Sequence, residues 1–113
     1  MKVIINGIVY KIILTDNMLG SSFAEMPPLE IELSRSGDHE YYAALPNYLN
    51  TDGARLVSKV KNDGVYYFKA WNAISLNFKD IDISPYEVYE LGTIEGAANI
   101  LENSGSKLTV KFE

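Results

Sequence analysis

Short runs of β-branched and aromatic residues, each bounded by turn residues, constrain the fold of this chain more than any other feature. The clearest pair of runs is Lys2–Ile5 and Ile8–Leu14, which flank Asn6-Gly7. Because Asn-Gly tolerates the positive φ angles of a type I′ turn, this segment predicts a β-hairpin. A chain that opens in this way favours an antiparallel sheet over long helices.

Further short strands follow along the chain. Leu29, Ile31 and Leu33 alternate with polar residues, which is the period of two of a half-buried strand. The interior of the strand predicted over Tyr86–Ile94 contains Gly92, which predicts a bulge or a close backbone approach. The remaining predicted strands are Glu40–Leu45, Val65–Ala70, Ala73–Phe78 and Lys107–Phe112; Ala54–Val60 is ambiguous, and Ile81–Pro85 is predicted to be a connection.

Two short helices complete the predicted elements. One extends from a cap at Asp16 or Asn17 to Met26, and Pro27-Pro28 ends it. The other covers Glu95–Glu102. Parallel strands need crossovers of a dozen or more residues, so the short connections favour antiparallel pairing, and closure into a barrel would remove open edges. The predicted core is Val3, Ile5, Ile13, Phe23, Leu29, Ile31, Leu33, Ile74, Leu76, Phe78, Ile94, Leu101, Leu108 and Val110.

Length and charge exclude several classes of protein. The 113 residues fit one domain over positions 1–113, and 47% hydrophobic residues suffice for a core. A net charge of −5 argues against binding to nucleic acid or to an anionic membrane surface. The lack of cysteine excludes disulfides and cysteine nucleophiles and fits a cytoplasmic location, while a removed signal sequence stays open.

The order of several segments resembles a known family. Lys69–Asp80 and Leu91–Gly96 resemble an aromatic hairpin and a following Leu-Gly-x-Ile segment of the bacterial and archaeal cyclophilin-like proteins. The opening Asn6-Gly7 hairpin, Tyr41-Tyr42 and the closing Gly105–Val110 match in order. The resemblance implies a mainly β fold, a closed antiparallel barrel of about eight strands with two short helices. It implies no particular activity, since fold does not determine function.

Prolyl isomerisation is the first activity to weigh, because true cyclophilins perform it with an arginine beside a Phe-His pair. This chain contains only Arg35 and Arg55, and neither is in such a context. The single histidine, His39, lies in a predicted turn. The two arginines are therefore interpreted as surface residues, and a divergent peptidyl-prolyl cis-trans isomerase is kept as the alternative function.

Other chemistries find little support in the sequence. Asp38–Glu40 contains three possible metal ligands, but adjacent residues of a strand alternate between its two faces. Glu30 with Glu32 and Asp80 with Asp82 can share a face, a pattern typical of a solvated surface. Neither a Gly-x-Ser-x-Gly elbow nor a phosphate-binding glycine motif occurs. The sequence predicts no metal and no cofactor.

The aromatic residues are the most informative set for function. Adjacent aromatics in a strand point to opposite sides of the sheet, so about half of them must leave the barrel interior. We expect a ligand site for a peptide or small molecule near Arg55, Phe68, Trp71 and Tyr86. Trp71, at a hairpin tip, is predicted to pack partly beside Phe68 or Tyr86 with one ring edge exposed. The alternative is that these aromatics form ordinary core and surface, and the sequence does not predict an oligomeric state.

Overall fold

The computed structural model describes all 113 residues, which form eleven strands and two short helices. A one-turn 3₁₀ helix over Lys69–Trp71 lies between two of the strands. The strands and helices are β1 Lys2–Ile5, β2 Ile8–Leu14, α1 Met18–Ala24, β3 Leu29–Ser36, β4 Glu40–Ala44, β5 Leu56–Val57, β6 Lys59–Val60, β7 Gly64–Phe68, β8 Ala73–Asn77, β9 Ile81–Asp82, β10 Val88–Ile94, α2 Ala98–Glu102 and β11 Lys107–Phe112.

Eight of the strands close into an antiparallel barrel. Their order around the wall is β2-β1-β11-β3-β4-β8-β7-β10, and β10 pairs back with β2. This architecture confirms the predicted fold class. The three remaining strands lie outside the closed wall, because β5 adds to β10 and β6 pairs only with β9. The ambiguous segment Ala54–Val60 therefore contains β5 and β6, and the predicted connection Ile81–Pro85 contains β9.

Local turn chemistry explains where the first elements begin and end. Asn6 and Gly7 have φ angles of 51° and 77°, as the predicted type I′ hairpin requires. The side chain of Asn17 caps α1 by accepting a hydrogen bond from the Gly20 amide at 3.0 Å. The second helix begins three residues later than predicted, because Gly96 has a φ of 83°, which is incompatible with a right-handed helix.

All but three of the predicted core residues are buried. Leu29 and Ile31 are half-buried and pack against the core from β3. The prediction for Ile13 is wrong, since its side chain is 53% exposed. The inward face of β2 contains Ile12 instead, and Ile13 lies opposite Thr93 on the outer face. A one-residue error in strand register reverses every side chain in this way.

Each short helix closes one end of the barrel. At the first end, Phe23 of α1 packs edge-on against Phe112, with ring centroids 5.2 Å apart. At the other end, the carboxylate of Asp63 accepts hydrogen bonds from the amides of Gly96 (3.1 Å) and Ala98 (2.7 Å) and so caps α2. We call these the α1 end and the α2 end.

A second, smaller apolar cluster lies outside the barrel wall. It contains the buried residues Val60, Tyr66 and Val88, and half-buried Val57, Phe68 and Ile83 pack against it. Tyr66 and Val88 alternate along their strands with Tyr67 and Tyr89, which pack against the main core. Residues 56–60 and 81–83, here called the outer flap, therefore cover the outer face of β7 and β10.

The predicted irregularity at Gly92 is confirmed. The pairing of β10 with β7 shifts register between Glu90 and Gly92, which marks a β-bulge. Gly92 also lies at the seam where β10 meets β2, opposite Leu14. A Cβ atom built on Gly92 would lie only 2.4 Å from the carbonyl oxygen of Ile13, so the two backbones approach too closely for any side chain.

Candidate functional site

The connection between β7 and β8 has a fixed conformation at the α1 end of the barrel. Its last residue, Asn72, is in the left-handed region (φ 48°, ψ 45°) and is only 7% exposed. The Asn72 side chain donates to the carbonyl of Leu45 (3.0 Å) and accepts from the hydroxyl of Tyr67 (2.6 Å). The Leu45 amide donates in turn to the carbonyl of Asn72 at 2.8 Å. A buried, hydrogen-bonded amide thus joins the tip, residues 69–72, to the loop after β4.

Trp71 is the most exposed ring of this tip. Its side chain is 71% exposed, and it contacts Phe68 in an edge-on arrangement with centroids 5.3 Å apart and an interplanar angle of 83°. Phe68 is half-buried because it packs on the small outer cluster. Trp71 therefore packs beside Phe68 on one side only, and it does not plug the barrel end.

Tyr86 lies at the same end of the barrel. It precedes β10 by two residues, and β10 runs antiparallel to β7, which ends at Phe68. Tyr86 is 66% exposed and forms no ring pair with Trp71 or Phe68. The two exposed rings are thus presented by neighbouring strand ends and do not form a ring pair with each other.

Arg55 directly precedes β5 and lines a groove between the barrel wall and the outer flap. Its side chain is 81% exposed, and its Nε atom lies 3.4 Å from a carboxylate oxygen of Glu90. The groove has a volume of about 540 Å³. Its lining residues are Arg55, Leu56, Val57, Ser58, Lys59, Lys61, Tyr66, Glu87 and Glu90.

The four residues expected to form one site thus occupy two adjoining surfaces. Phe68 and Trp71 are in contact, whereas neither of them lines the groove of Arg55, and neither does Tyr86. The surfaces adjoin because Glu87 of the groove directly follows Tyr86. Val57 of the groove also packs with Phe68 on the small outer cluster.

The groove contains charges of both signs above a phenol. Lys59, Lys61 and Arg55 supply the cations, and Glu87 and Glu90 the anions. Below them, the buried hydroxyl of Tyr66 accepts a hydrogen bond from the Lys61 amide at 2.9 Å, and burial raises the pKa of this phenol. Tyr66 thus stays a neutral phenol, and a ligand with both a positive and a negative group would find partners here.

A second, smaller groove of about 240 Å³ runs along β6 and β9 and includes Asp80 and Asp82. Both carboxylates are engaged in local turns. Asp80 accepts from the Asn62 amide (2.8 Å), and Asp82 accepts from the amide and the hydroxyl of Ser84 (2.9 and 2.6 Å). The Ser84 hydrogen bonds lower the pKa of Asp82. The structure brings no three His, Asp or Glu side chains together as a metal-binding group.

Comparison with known proteins assigns the barrel to a family. A model of the cyclophilin-like family matches residues 3–113. The chain belongs to the cyclophilin-like family. No curated protein matches it. The match covers every strand of the cyclophilin-like barrel except the first residue of β1, so the candidate site lies wholly within the matched residues.

Arg35 has a role in the cyclophilin-like barrel that the sequence analysis missed. The interpretation as a surface arginine is wrong for Arg35, whose side chain is only 22% exposed. Its guanidinium donates to the carbonyls of Glu102 (2.9 Å) and Ser104 (3.0 Å) and lies 4.6 Å above the ring of Phe78. Arg35 thus fixes the C-terminal end of α2. The sequence around Arg35 contains no signal for this contact, because the carbonyls that it binds lie 67 or more residues further along the chain.

His39 is distant from the aromatic tip of the cyclophilin-like barrel. It precedes β4, whose first residue Glu40 pairs with Asn77, whereas the other end of β4 pairs with Ala73 beside the tip. Burial lowers the pKa of His39 and raises the pKa of Glu40, and the two side chains approach to 3.6 Å. Neither polar atom of the Asn77 side chain, opposite Glu40, has a hydrogen-bond partner. This corner is poorly solvated and weakly paired.

The half-buried carboxyl group of Glu40 predicts a pH dependence. The folded state holds the proton of Glu40 more tightly than the unfolded state, so the free energy of unfolding falls as the pH rises from the ordinary value of 4.5 through the raised pKa. We expect Glu40→Gln to be more stable than the wild type at pH 7 and to lose this advantage below pH 4.5. Urea denaturation at a series of pH values measures the difference.

Because His39 lies 3.6 Å from Glu40, its own titration contributes to the difference, and the same comparison in a His39→Gln background isolates the carboxyl group. A difference in stability between the wild type and Glu40→Gln that stays constant from pH 4 to pH 7 would contradict this expectation.

The structure contains no helix with the length and apolar character needed to cross a membrane.

Proposed function

We propose that this cyclophilin-like barrel is a non-catalytic module that binds a peptide or a small molecule at the α1 end and along the adjoining wall. The observation that carries the proposal is Trp71, a large ring that is 71% exposed and yet fixed against Phe68. The tip that presents it is fixed by the buried amide of Asn72. A ring that is already ordered loses little conformational entropy on binding.

The groove beside Trp71 provides the second half of the proposed site. Its volume of about 540 Å³ lies within the usual range of ligand sites, roughly 300–1,000 Å³. Arg55 and Glu90 offer opposite charges on its wall. We infer a ligand with an apolar side chain or ring for Trp71 and a charged group for the groove. A short peptide segment has both, and a cytoplasmic location is part of this proposal.

The surroundings of the two arginines favour a binding module over the alternative, a divergent prolyl isomerase. Arg55 is 81% exposed and ion-paired with Glu90, so water and a carboxylate compete for its guanidinium. Arg35 is occupied by the backbone carbonyls at the end of α2. Neither arginine is positioned in an apolar pocket where it would hydrogen-bond a prolyl amide.

The direct test is selection of ligands from a displayed library of random twelve-residue peptides. We expect Trp71→Ala to weaken the selected peptides by about tenfold or more, equivalent to about 1.4 kcal/mol. Trp71 is the single tryptophan, so its fluorescence reports binding to the wild type, and calorimetry compares the variants. The matched control is Ile8→Ala, which removes a side chain that is 50% exposed at the α2 end.

Two results would overturn the proposal. Peptides that bind Trp71→Ala and Arg55→Ala as tightly as the wild type would place the site elsewhere. Catalysed cis–trans exchange of a proline-containing peptide, lost in Arg55→Ala, would establish the isomerase instead. Because both substitutions are at exposed positions, we expect folded variants, and circular dichroism verifies this.

A further inference from the structure

The strand β5, which lies outside the closed wall, presents one residue whose backbone no other strand pairs. β5 is the last strand of its sheet and pairs only with β10. The Glu90 amide donates to the Arg55 carbonyl at 3.0 Å, and hydrogen-bonded pairs alternate along an antiparallel ladder. Arg55 and Val57 therefore direct their N–H and C=O groups toward β10. The N–H and C=O groups of Leu56 point the other way, to the free edge of the sheet.

The strand that covers the rest of this edge turns away before it reaches Leu56. β9 runs along β6, and next to this pair the Ile83 amide donates to the Ser58 carbonyl at 2.8 Å. The chain then folds back, since the Tyr86 amide donates to the Ile83 carbonyl at 3.0 Å. In the same register Pro85 would be the next residue to bond Leu56, but proline has no N–H to donate. The edge beside Leu56 is thus open from the end of β9 onward.

This open edge borders the groove of the proposed site. Leu56 is 45% exposed, and it lines the groove together with Arg55 and Ser58. A ligand in the groove can therefore reach the main chain of Leu56 as well as the charged side chains. An extended peptide presents an N–H and a C=O group side by side at strand spacing, so it satisfies both backbone groups at once. Unpaired strand edges bind extended chains in this way.

We infer that the ligand of this site is an extended peptide that adds to β5 in line with β9 and exchanges two hydrogen bonds with the main chain of Leu56. This inference rests on the proposed function and names the class of its ligand. The peptide runs antiparallel to β5, because β9 runs antiparallel to β6 along the same edge. The peptide residue opposite Leu56 is here called X.

The register determines which side chains of the peptide meet the groove. Adjacent residues of a strand point to opposite faces, so the two neighbours of X share the outer face with Arg55 and Val57. In antiparallel order, residue X−1 lies beside Val57, whose side chain packs on the small outer cluster. Residue X+1 lies beside Arg55, which is 81% exposed and contacts Glu90 through its Nε atom only. We therefore expect an apolar residue at X−1 and an acidic residue at X+1.

Backbone methylation of a selected peptide tests the pairing from the side of the ligand. An N-methyl group at X removes the donor to the Leu56 carbonyl, so we expect the affinity to fall by about tenfold or more. The N–H groups of X−1 and X+1 point away from β5, and their methylation should cost less than about threefold. A scan of single N-methyl groups, measured by calorimetry, should therefore show a sensitive position between two tolerant ones. A scan without this alternation would overturn the inference.

Leu56→Pro and Leu56→Ala form a matched pair on the protein. Both variants lose the leucine side chain, but only Leu56→Pro loses the N–H group that donates to the carbonyl of X. Proline is tolerated on an edge strand where the N–H group faces solvent, and circular dichroism verifies the fold. We expect Leu56→Pro to bind the peptide about tenfold or more weakly than Leu56→Ala. In the wild type, hydrogen exchange of the Leu56 amide should slow when the peptide binds.

The outcomes separate this inference from the proposed function. Peptides that lose affinity in Trp71→Ala but bind Leu56→Pro and Leu56→Ala equally would overturn the strand pairing and leave the binding module intact. Peptides that protect the Leu56 amide but bind Trp71→Ala like the wild type would support the pairing and remove Trp71 from the site. A library that yields no binder would overturn both.

A second copy of the chain is the competing occupant of the edge. Protection of the Leu56 amide in the free protein that rises with protein concentration would identify it and would overturn the inference. If Leu56→Pro does not fold, the N-methyl scan decides by itself, because it leaves the protein unchanged.

Discussion

Asn72→Ala should lower the free energy of unfolding by about 3 kcal/mol, because two independent costs combine at one position. The first is the loss of the acceptor for the Tyr67 hydroxyl and of the donor for the Leu45 carbonyl, both in a buried site. The second is the φ of 48°, which alanine adopts only with strain. Urea denaturation at constant m-value measures the loss.

Asn72→Gly separates the two costs. Glycine adopts the left-handed conformation freely, so this variant should lose only the hydrogen-bond part, about 2 kcal/mol. We therefore expect the order of stability wild type, Asn72→Gly, Asn72→Ala. Equal stability of the two variants would exclude backbone strain, and a stable Asn72→Ala would show that the network contributes nothing.

Gly92→Ala should destabilise the barrel by about 3 kcal/mol or more, at the upper end of the usual cost of overpacking. The new Cβ would meet the Ile13 carbonyl oxygen at 2.4 Å, and this atom belongs to the backbone, so no side-chain rotation relieves the contact. Relief requires that β2 and β10 separate at the seam. The adjacent hydrogen bond from the Thr15 amide to the Leu91 carbonyl, 2.9 Å long, would weaken as well.

Gly105→Ala is the matched control for Gly92→Ala. Nothing lies within 4 Å of a Cβ at Gly105, so its effect should stay within about 0.5 kcal/mol. Thermal denaturation compares the two variants, and hydrogen exchange at Thr15 locates the damage. If Gly92→Ala unfolds at the same temperature as the wild type, the seam is looser than the structure shows.

The strands of the barrel could be predicted because their determinants are local. The Asn6-Gly7 turn fixes the first hairpin, and the alternation of Leu29–Leu33 fixes which face of β3 points inward. Family resemblance supplied closure, which no local pattern states. The error at Ile13 has the opposite cause, since Ile12-Ile13-Leu14 is apolar throughout and its pattern leaves the register of β2 undetermined.

The outer flap and the contact of Arg35 with the end of α2 could not be predicted, because both depend on residues distant in sequence. β6 and β9 are two residues long and become strands only by pairing with each other across 20 residues. Arg35 meets a helix end 67 residues away. The four site residues Arg55, Phe68, Trp71 and Tyr86 were expected to lie together. No sequence signal showed that Arg55 would line the groove while Trp71 lies on the tip.

The pairing of β1 with β11 has a consequence for how the chain folds. Val3 lies opposite Phe112, and β2 closes the barrel against β10, so the opening hairpin depends on strands roughly a hundred residues away. Closing so long a loop costs chain entropy before any contact offsets it. High contact order slows folding, and during that delay the apolar faces of the first hairpin are exposed to other chains. We therefore expect the arrangement that leaves the native barrel without open edges to slow its assembly and to favour aggregation during folding.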